Sequence, residues 1–534
     1  MSRFIELLQQ GSIRWRDLHD VEVDDRPRLI FAGSGLDHWS AALAATINTD
    51  LALAGALSEL YTCVALEVAA EPQFSATIQQ ALQLTAGATG WPVLAICTPD
   101  GDIFGAVGWR RIDEITHLLL QAAEAWQRHP ADCQADAARL AAAGNVIRAP
   151  AQGRPLRAAL VLDAAEAAAM AIADSVEGGF GSAPRTVEPG LWGFLVQRAA
   201  RENAPLALQQ QVERSLAAWC AGAAHDHLAG GFFAGCSDAN WRTPACAKRL
   251  SDQAQQADLL VTAGTLLGNP LWHDIALRAL RWTCVTLRHD TGTFAHGLQA
   301  DSPAAPGRWE EGACYRWSAA AVAEIVGEAG ATLVSQRFDL PAEGEGFLAV
   351  GEALSVANQR RLPELVNRLA AARSERPQPR RDESVYPLEQ AQMALALEHI
   401  AVVEPEFVAA ADALFAYLTS PLVTLTFTRT PTPTTAAWVG RALAARWQRT
   451  GIPQPLALRC AALDVEGDLD PIGGLSPAAV LGHLRLDIAE LTGDSQWFDQ
   501  VDHTLSNARD RLRAAPLACA GLLSVLDRRT HSQP

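Results

Sequence analysis

No two of the ten cysteines stand two residues apart, so the chain has no Cys-x-x-Cys, the spacing that vicinal redox pairs and zinc knuckles both require. Charge is scarce too: Asp, Glu, Lys and Arg make up 19% of 534 residues, below the usual quarter, and with 49% apolar residues this excludes an intrinsically disordered chain. No apolar run reaches the length of a membrane span, and residues 1–15 hold no uninterrupted apolar core of the kind a secretion signal needs. Basic residues are in deficit, 43 against 60 acidic, for a net charge of -17. Without a local basic patch, that balance opposes phosphate backbones and anionic lipid. The expectation is a soluble cytoplasmic protein that binds neither nucleic acid nor membrane, whose scattered thiols are small buried apolar groups.

What is present is core material and clear punctuation. A chain of 534 residues exceeds what one hydrophobic core normally spans, so two domains are expected. Residues 27–33 read as a turn entering a buried strand, residues 39–56 as an Ala/Leu-rich helix and residues 63–68 as a second strand. Residues 93–97 and 102–107 flank Thr98-Pro99-Asp100-Gly101, a hairpin signal, and a helix over 112–128 closes the unit. This order is the α/β thioredoxin-like arrangement, with Pro92 where that fold sets a cis proline beside its active-site loop. Residues 131–157 turn to Ala, Gly, Pro and scattered charge, and read as a linker with one short helix. From 158 to the end, apolar residues recur at helical spacing in about a dozen stretches: 161–176, 190–202, 206–221, 250–267, 274–287, 319–328, 363–373, 390–400, 406–418, 436–448, 477–492 and 497–514. The expected fold is a thioredoxin-like domain over 1–130, a linker over 131–157 and an all-α (α/α)6 toroid over 158–534. A solenoid is the alternative, but no fixed period of 30 to 50 residues supports it.

Six clusters resemble, in order and spacing, the thioredoxin-domain family of spermatogenesis-associated protein 20 and its YyaL-like bacterial relatives: Asp37-His38-Trp39-Ser40; Gly90-Trp91-Pro92; Gly178-Gly179-Phe180-Gly181-Ser182-Ala183-Pro184; Asp226-His227-Leu228-Ala229-Gly230-Gly231-Phe232; Asp252-Gln253-Ala254-Gln255; and Gln299 to Ser302 with Glu311, Tyr315 and Trp317. The resemblance covers about residues 13–317. It implies a thioredoxin-like domain followed by a barrel related to sugar epimerases and six-hairpin glycosidases. The departures are chemical. The family's Cys-His-Trp-Cys falls on Asp37 to Ser40, so both sulfurs are replaced. Its Pro-His-Phe-Glu-Lys corresponds to Pro244-Ala245-Cys246-Ala247-Lys248, which lacks the histidine and the glutamate. The histidine after its Gly-Gly-Phe run is Phe233 here, and a Trp-Asn pair of its second half falls near Glu389-Gln390.

Thiol exchange needs a thiolate and a resolving thiol, which Asp37 and Ser40 cannot supply. Both read as helix N-caps, so the loop Asp37, His38, Trp39, Ser40 with Pro92 is a degenerate redox loop. Glycoside hydrolysis or epimerisation needs two ionisable groups with separated pKa values. The barrel offers Asp226, Asp252, Asp301 and Glu311, with Glu310 beside them, as candidate catalytic groups, and loop capping is the competing role of the first two. His227, Phe232, Trp241, Tyr315 and Trp317 lie near glycine turns and are candidate contacts for a sugar-like ligand, with core packing as the alternative. The glycine pairs lack the strand-to-helix context and lysine of a phosphate loop. No cofactor and no metal are expected. The favoured function is a non-redox, degenerate member that binds a ligand or serves as an assembly subunit, including a hetero-oligomer with an intact relative. The alternatives are a sugar epimerase, isomerase or hydrolase using the barrel carboxylates, and a redox protein using the scattered thiols.

Overall fold

The computed structural model describes the chain except residues 1, 22–23, 149–155, 342, 352, 422, 424–432, 464–473 and 533–534. It divides into two compact units, residues 1–149 with 382–386, and residues 150–381 with 387–534.

The first unit is built on four strands, β1 Arg28–Gly33, β2 Thr62–Glu67, β3 Val93–Cys97 and β4 Ile103–Gly108, in the order β2-β1-β3-β4. β1 and β2 are parallel, and the other pairings are antiparallel. Covered on both faces, the inner strands read as continuous apolar runs, and their period of two splits them between two cores. Leu29, Phe31, Cys63, Ala65, Leu94 and Ile96 join residues of helices α1 Arg3–Leu8, α2 His38–Thr49, α3 Leu51–Leu60 and α5 Ile112–Arg128. Ile30, Ala32, Val64, Leu66, Val93 and Ala95 meet Ile78 and Leu82 of α4 Pro72–Ala86. The hairpin turns at Thr98 to Gly101 as expected, and Trp91-Pro92 is cis.

Two sequence expectations change here. The helix over 39–56 is two helices meeting at 92°, because Asp50 accepts hydrogen bonds from the Ala52 and Leu53 amides and starts a new one. The short helix expected in the linker is the 19-residue α6 Pro130–Arg148, which packs on β4 and α5; alanine-rich composition is as compatible with a long helix as with a spacer. Residues 149–155 of that stretch lie outside the described residues.

The second unit is a closed double ring. Helices α8 Pro189–Ala199, α10 Leu250–Leu267, α15 Pro387–Ile400, α17 Pro433–Thr450, α19 Pro477–Thr492 and α21 Ala520–Arg529 each pack against the next, and α21 returns to α8. Outside them, α7 Ala158–Ala171, α9 Leu206–Ala221, α11 Pro270–Thr286, α16 Val408–Leu418, α18 Pro455–Ala461 and α20 Gln496–Ala514 each lie against an inner helix. This is the (α/α)6 toroid, around one continuous core. Helices at 455–461 and 520–529 were not anticipated, and without the second the inner ring would stay open. Two of the anticipated helices are not ring members. Between α11 and α15 the chain inserts a strand hairpin, then α12 Ala319–Val326, α13 Glu328–Phe338 and α14 Val356–Ser374, which enclose a smaller core of their own. α14 begins seven residues before Pro363, under a Ser355 cap.

Candidate functional site

In the first unit the residues of the degenerate loop are held by backbone logic. Asp37 is the N-cap of α2, its carboxylate accepting from the Ser40 amide at 2.8 Å. Ser40 is not a cap: it lies one turn in, fully buried, its Oγ donating to the same Asp37 oxygen at 2.8 Å and accepting from the Ser34 amide. The two positions where sulfurs would stand are thus bonded to each other as carboxylate and hydroxyl. His38 and Trp39 follow, with Trp39 46% exposed and its ring 4.9 Å from that of Trp109, itself 41% exposed.

In the toroid, three loops between outer and inner helices repeat one design. Ala173 bridges Phe180, His225 bridges Phe232, and Arg288 bridges Phe294. In the second loop Gly230 and Gly231 have φ of 91° and 78°, and a Cβ on Gly231 would lie 2.6 Å from the Trp282 ring, so glycine is required. The following inner helix then pins the phenylalanine. Gln253 of α10 accepts from the Phe232 amide at 2.8 Å and donates to its carbonyl at 2.6 Å, and Gln390 of α15 makes the same pair with Phe294, both at 2.8 Å. Asp252-Gln253-Ala254-Gln255 and Glu389-Gln390-Ala391-Gln392 are therefore equivalent segments in neighbouring inner helices.

That equivalence brings Asp252 and Glu389 to the third residue of α10 and α15. His296 joins them from the loop: its carbonyl accepts from the Leu250 amide at 2.8 Å, and its Nδ1 lies 2.9 Å from both Glu389 oxygens. Burial pushes the Asp252 carboxyl up to about 6, with Glu389 and Glu188 adding to the effect while Arg249 and His296 oppose it. Its Oδ2 is buried without a hydrogen bond, and Arg249 stands 3.8 Å away. Gln256 and Gln392, both buried, also have side-chain oxygens without a partner. His296 and Glu389 were missed as site residues by sequence reasoning, and the signal was present as the repeated Gln-Ala-Gln after an acidic residue.

The other sequence candidates lie elsewhere. Asp226 is buried and bonded to Lys248 at 2.6 Å and Arg373 at 2.7 Å. Burial alone would raise its carboxyl, but these two cations outweigh it and hold it far below the usual range. Burial in turn brings Lys248 down to about 8. Asp226 is thus a locked structural anion. Asp301 and Glu311 face each other across the hairpin of strands Asp301–Ala305 and Arg308–Glu311, and Glu311 accepts from the Cys246 amide at 2.9 Å.

The aromatic candidates are closely packed. Phe232 stacks on Trp219 at 4.7 Å, Trp241 packs edge-on against Trp192, Tyr315 lies edge-on to Phe233, and Trp317 carries the Arg376 guanidinium 3.7 Å above its ring. All four are buried. His227 is also buried, its Nε2 2.9 Å from the Gly222 carbonyl, and burial lowers it to about 4. Among the described residues no three of His, Cys, Asp and Glu are placed to hold a metal ion.

The family described as "Protein of unknown function, DUF255", under the name Thioredox DsbH, matches residues 6–143. Spermatogenesis-associated protein 20 of Homo sapiens is 26% identical over 320 residues, 57% of this chain and 40% of that protein, and its Mus musculus counterpart is 24% identical over the same shares. The chain thus spans about two fifths of the length of the curated relatives it matches. A sugar epimerase from a ruminal bacterium aligns at a TM-score of 0.40 and 8% identity, covering 65% of this chain and 84% of that one. Cellobiose 2-epimerase from Spirochaeta thermophila aligns at 0.37 and 11%, covering 66% and 85%. Likenesses at these scores say nothing about activity.

Proposed function

Starting from a chain whose residues 6–143 belong to the Thioredox DsbH thioredoxin-like family, we propose that the protein is a non-redox member that holds a ligand or partner and does not exchange disulfides. The observation that carries this is the 2.8 Å hydrogen bond from Ser40 to Asp37, which occupies the position of a thiol pair with groups that cannot transfer electrons. The remaining sulfurs are poor substitutes: nine of the ten cysteines are buried. The exposed Trp39 and Trp109 rings keep large apolar area in water beside this loop, as partner-binding faces do, and an intact relative is the partner we propose for it. The test is insulin reduction with dithiothreitol. The expected rate equals that of dithiothreitol alone, and turnover near that of a dithiol thioredoxin would overturn the reading.

A second reading, a sugar-processing enzyme, is favoured by one observation: Asp252, pushed up to about 6, beside the His296·Glu389 pair, which supplies two proton-transfer groups in different environments. It expects turnover of a sugar that collapses in Asp252→Asn.

A further inference from the structure

We propose that the first turns of α10 and α15, with His296 between them, form a binding site for a neutral polyhydroxylated molecule, held by Asp252, Gln256 and Gln392. The inference rests on the ligand-holding reading and names where the ligand sits and what it is made of.

The placement follows from helix geometry. Asp252, Gln255, Gln256 and Leu259 fall at i, i+3, i+4 and i+7, one face of α10. Gly264 lies on a different face, where outer helix α11 approaches so closely that an added Cβ would sit 2.5 Å from the His273 ring. Glu389, Gln392, Met393 and Ala396 repeat the same face on α15, which packs directly on α10. A core that needed only packing would fill these positions with apolar side chains. Instead α10 carries Asp252, Gln255 and Gln256 there and α15 carries Glu389 and Gln392, and Asp252 Oδ2, Gln256 Oε1 and Gln392 Oε1 are buried with no donor. The residues are 9%, 4% and 6% exposed. A buried acceptor without a donor costs about 1–3 kcal/mol, so three on two packed helices are an unmet demand for hydrogen-bond donors.

The chemistry of the occupant follows from what surrounds those oxygens. The two helix starts already carry the carboxylates of Asp252 and Glu389, with Arg249 3.8 Å from the first and His296 on the second, so the site's own charges are matched locally and a neutral occupant fits them. The donor set does not suit a metal ion, since among the described residues no three of the usual ligands come together. Carboxamides present an acceptor and two donors each, and a hydroxyl both donates and accepts, so several hydroxyls on one neutral skeleton match the wall group by group.

Calorimetric titration of the full chain tests this with D-glucose, D-mannose and myo-inositol as probes and spermidine as the cationic control. At least one neutral probe is expected to saturate a single site. Gln256→Leu and Gln392→Leu should each weaken it roughly ten-fold, the equivalent of one hydrogen bond of about 1.4 kcal/mol. Both variants delete an unpaired buried acceptor, so thermal unfolding should occur no lower than in the parent. The proposal is overturned if no neutral probe saturates, if the leucine variants bind as the parent does, or if spermidine alone binds. Insulin reduction separates the two readings: a chain that binds a neutral probe and also reduces insulin refutes the non-redox reading alone, and one that does neither refutes only this site.

Discussion

Asp226 and Asp252 are both buried carboxylates 26 positions apart, and their neighbours send them in opposite directions. Two cations bonded to Asp226 keep it ionised despite burial. Asp252 has Arg249 no nearer than 3.8 Å, and burial raises it from 3.8 to about 6. Between those values the folded chain holds a proton on Asp252 that the unfolded chain has released. Its contribution is therefore complete below pH 4 and is lost as pH rises through 6. Asp252→Asn, which cannot ionise, should consequently stabilise the protein by on the order of 3 kcal/mol at pH 8 and change little at pH 4, read as urea midpoints at the two pH values. Equal shifts at both would mean that Asp252 is not buried as a lone carboxyl.

At the scale of the element, the glutamine that follows each inner-helix carboxylate locks the loop before it. Replacing Gln390 with alanine leaves the buried Phe294 amide and carbonyl without partners. The expected cost is about 1–3 kcal/mol for each group, visible as faster hydrogen exchange at Phe294 while Phe232, held by Gln253, keeps its protection. Loss of protection at both loops would show that the toroid opens as a whole. These locks also explain what could be read from the sequence. The Gly-Gly-Phe runs and Asp252-Gln253-Ala254-Gln255 stand out because glycine at positive φ and a carboxamide with two fixed partners allow few substitutes. The order of elements along the first unit and its hairpin were legible for a similar reason, since apolar runs bounded by turn signals and a Pro-Asp-Gly turn leave few alternatives. The break at Asp50 was hidden because Ala and Leu continue helical spacing on both sides. His296 was hidden because its partner Glu389 lies 93 positions away, and only ring closure brings them together. The packing partners of the aromatic candidates were hidden because a tryptophan beside a glycine turn serves a core and a ligand pocket equally well, and sequence does not display which rings meet.

Across the whole molecule the sulfur is dispersed into both units and withdrawn from solvent. Burial pushes the thiols of Cys63, Cys97 and Cys460 up to about 12 and that of Cys284 up to about 11. Because the thiolate is the nucleophile, each is almost entirely protonated at neutral pH, and Cys284 alone of the ten is not classed with the buried ones. Iodoacetamide at pH 8 should therefore label Cys284 first and leave Cys63, Cys97 and Cys460 unmodified on the same timescale, with all ten reacting after denaturation. Peptide mass spectrometry over a time course reads the order directly. Rapid native labelling of Cys63 or Cys97, the two thiols in the strands of the thioredoxin-like sheet, would reveal a nucleophile near the degenerate loop and return the first unit to redox chemistry. Labelling confined to Cys284 leaves that unit with the capped, hydrogen-bonded Asp37 and Ser40 as its only groups at the old sulfur positions, and moves the search for chemistry to the mouth of the toroid.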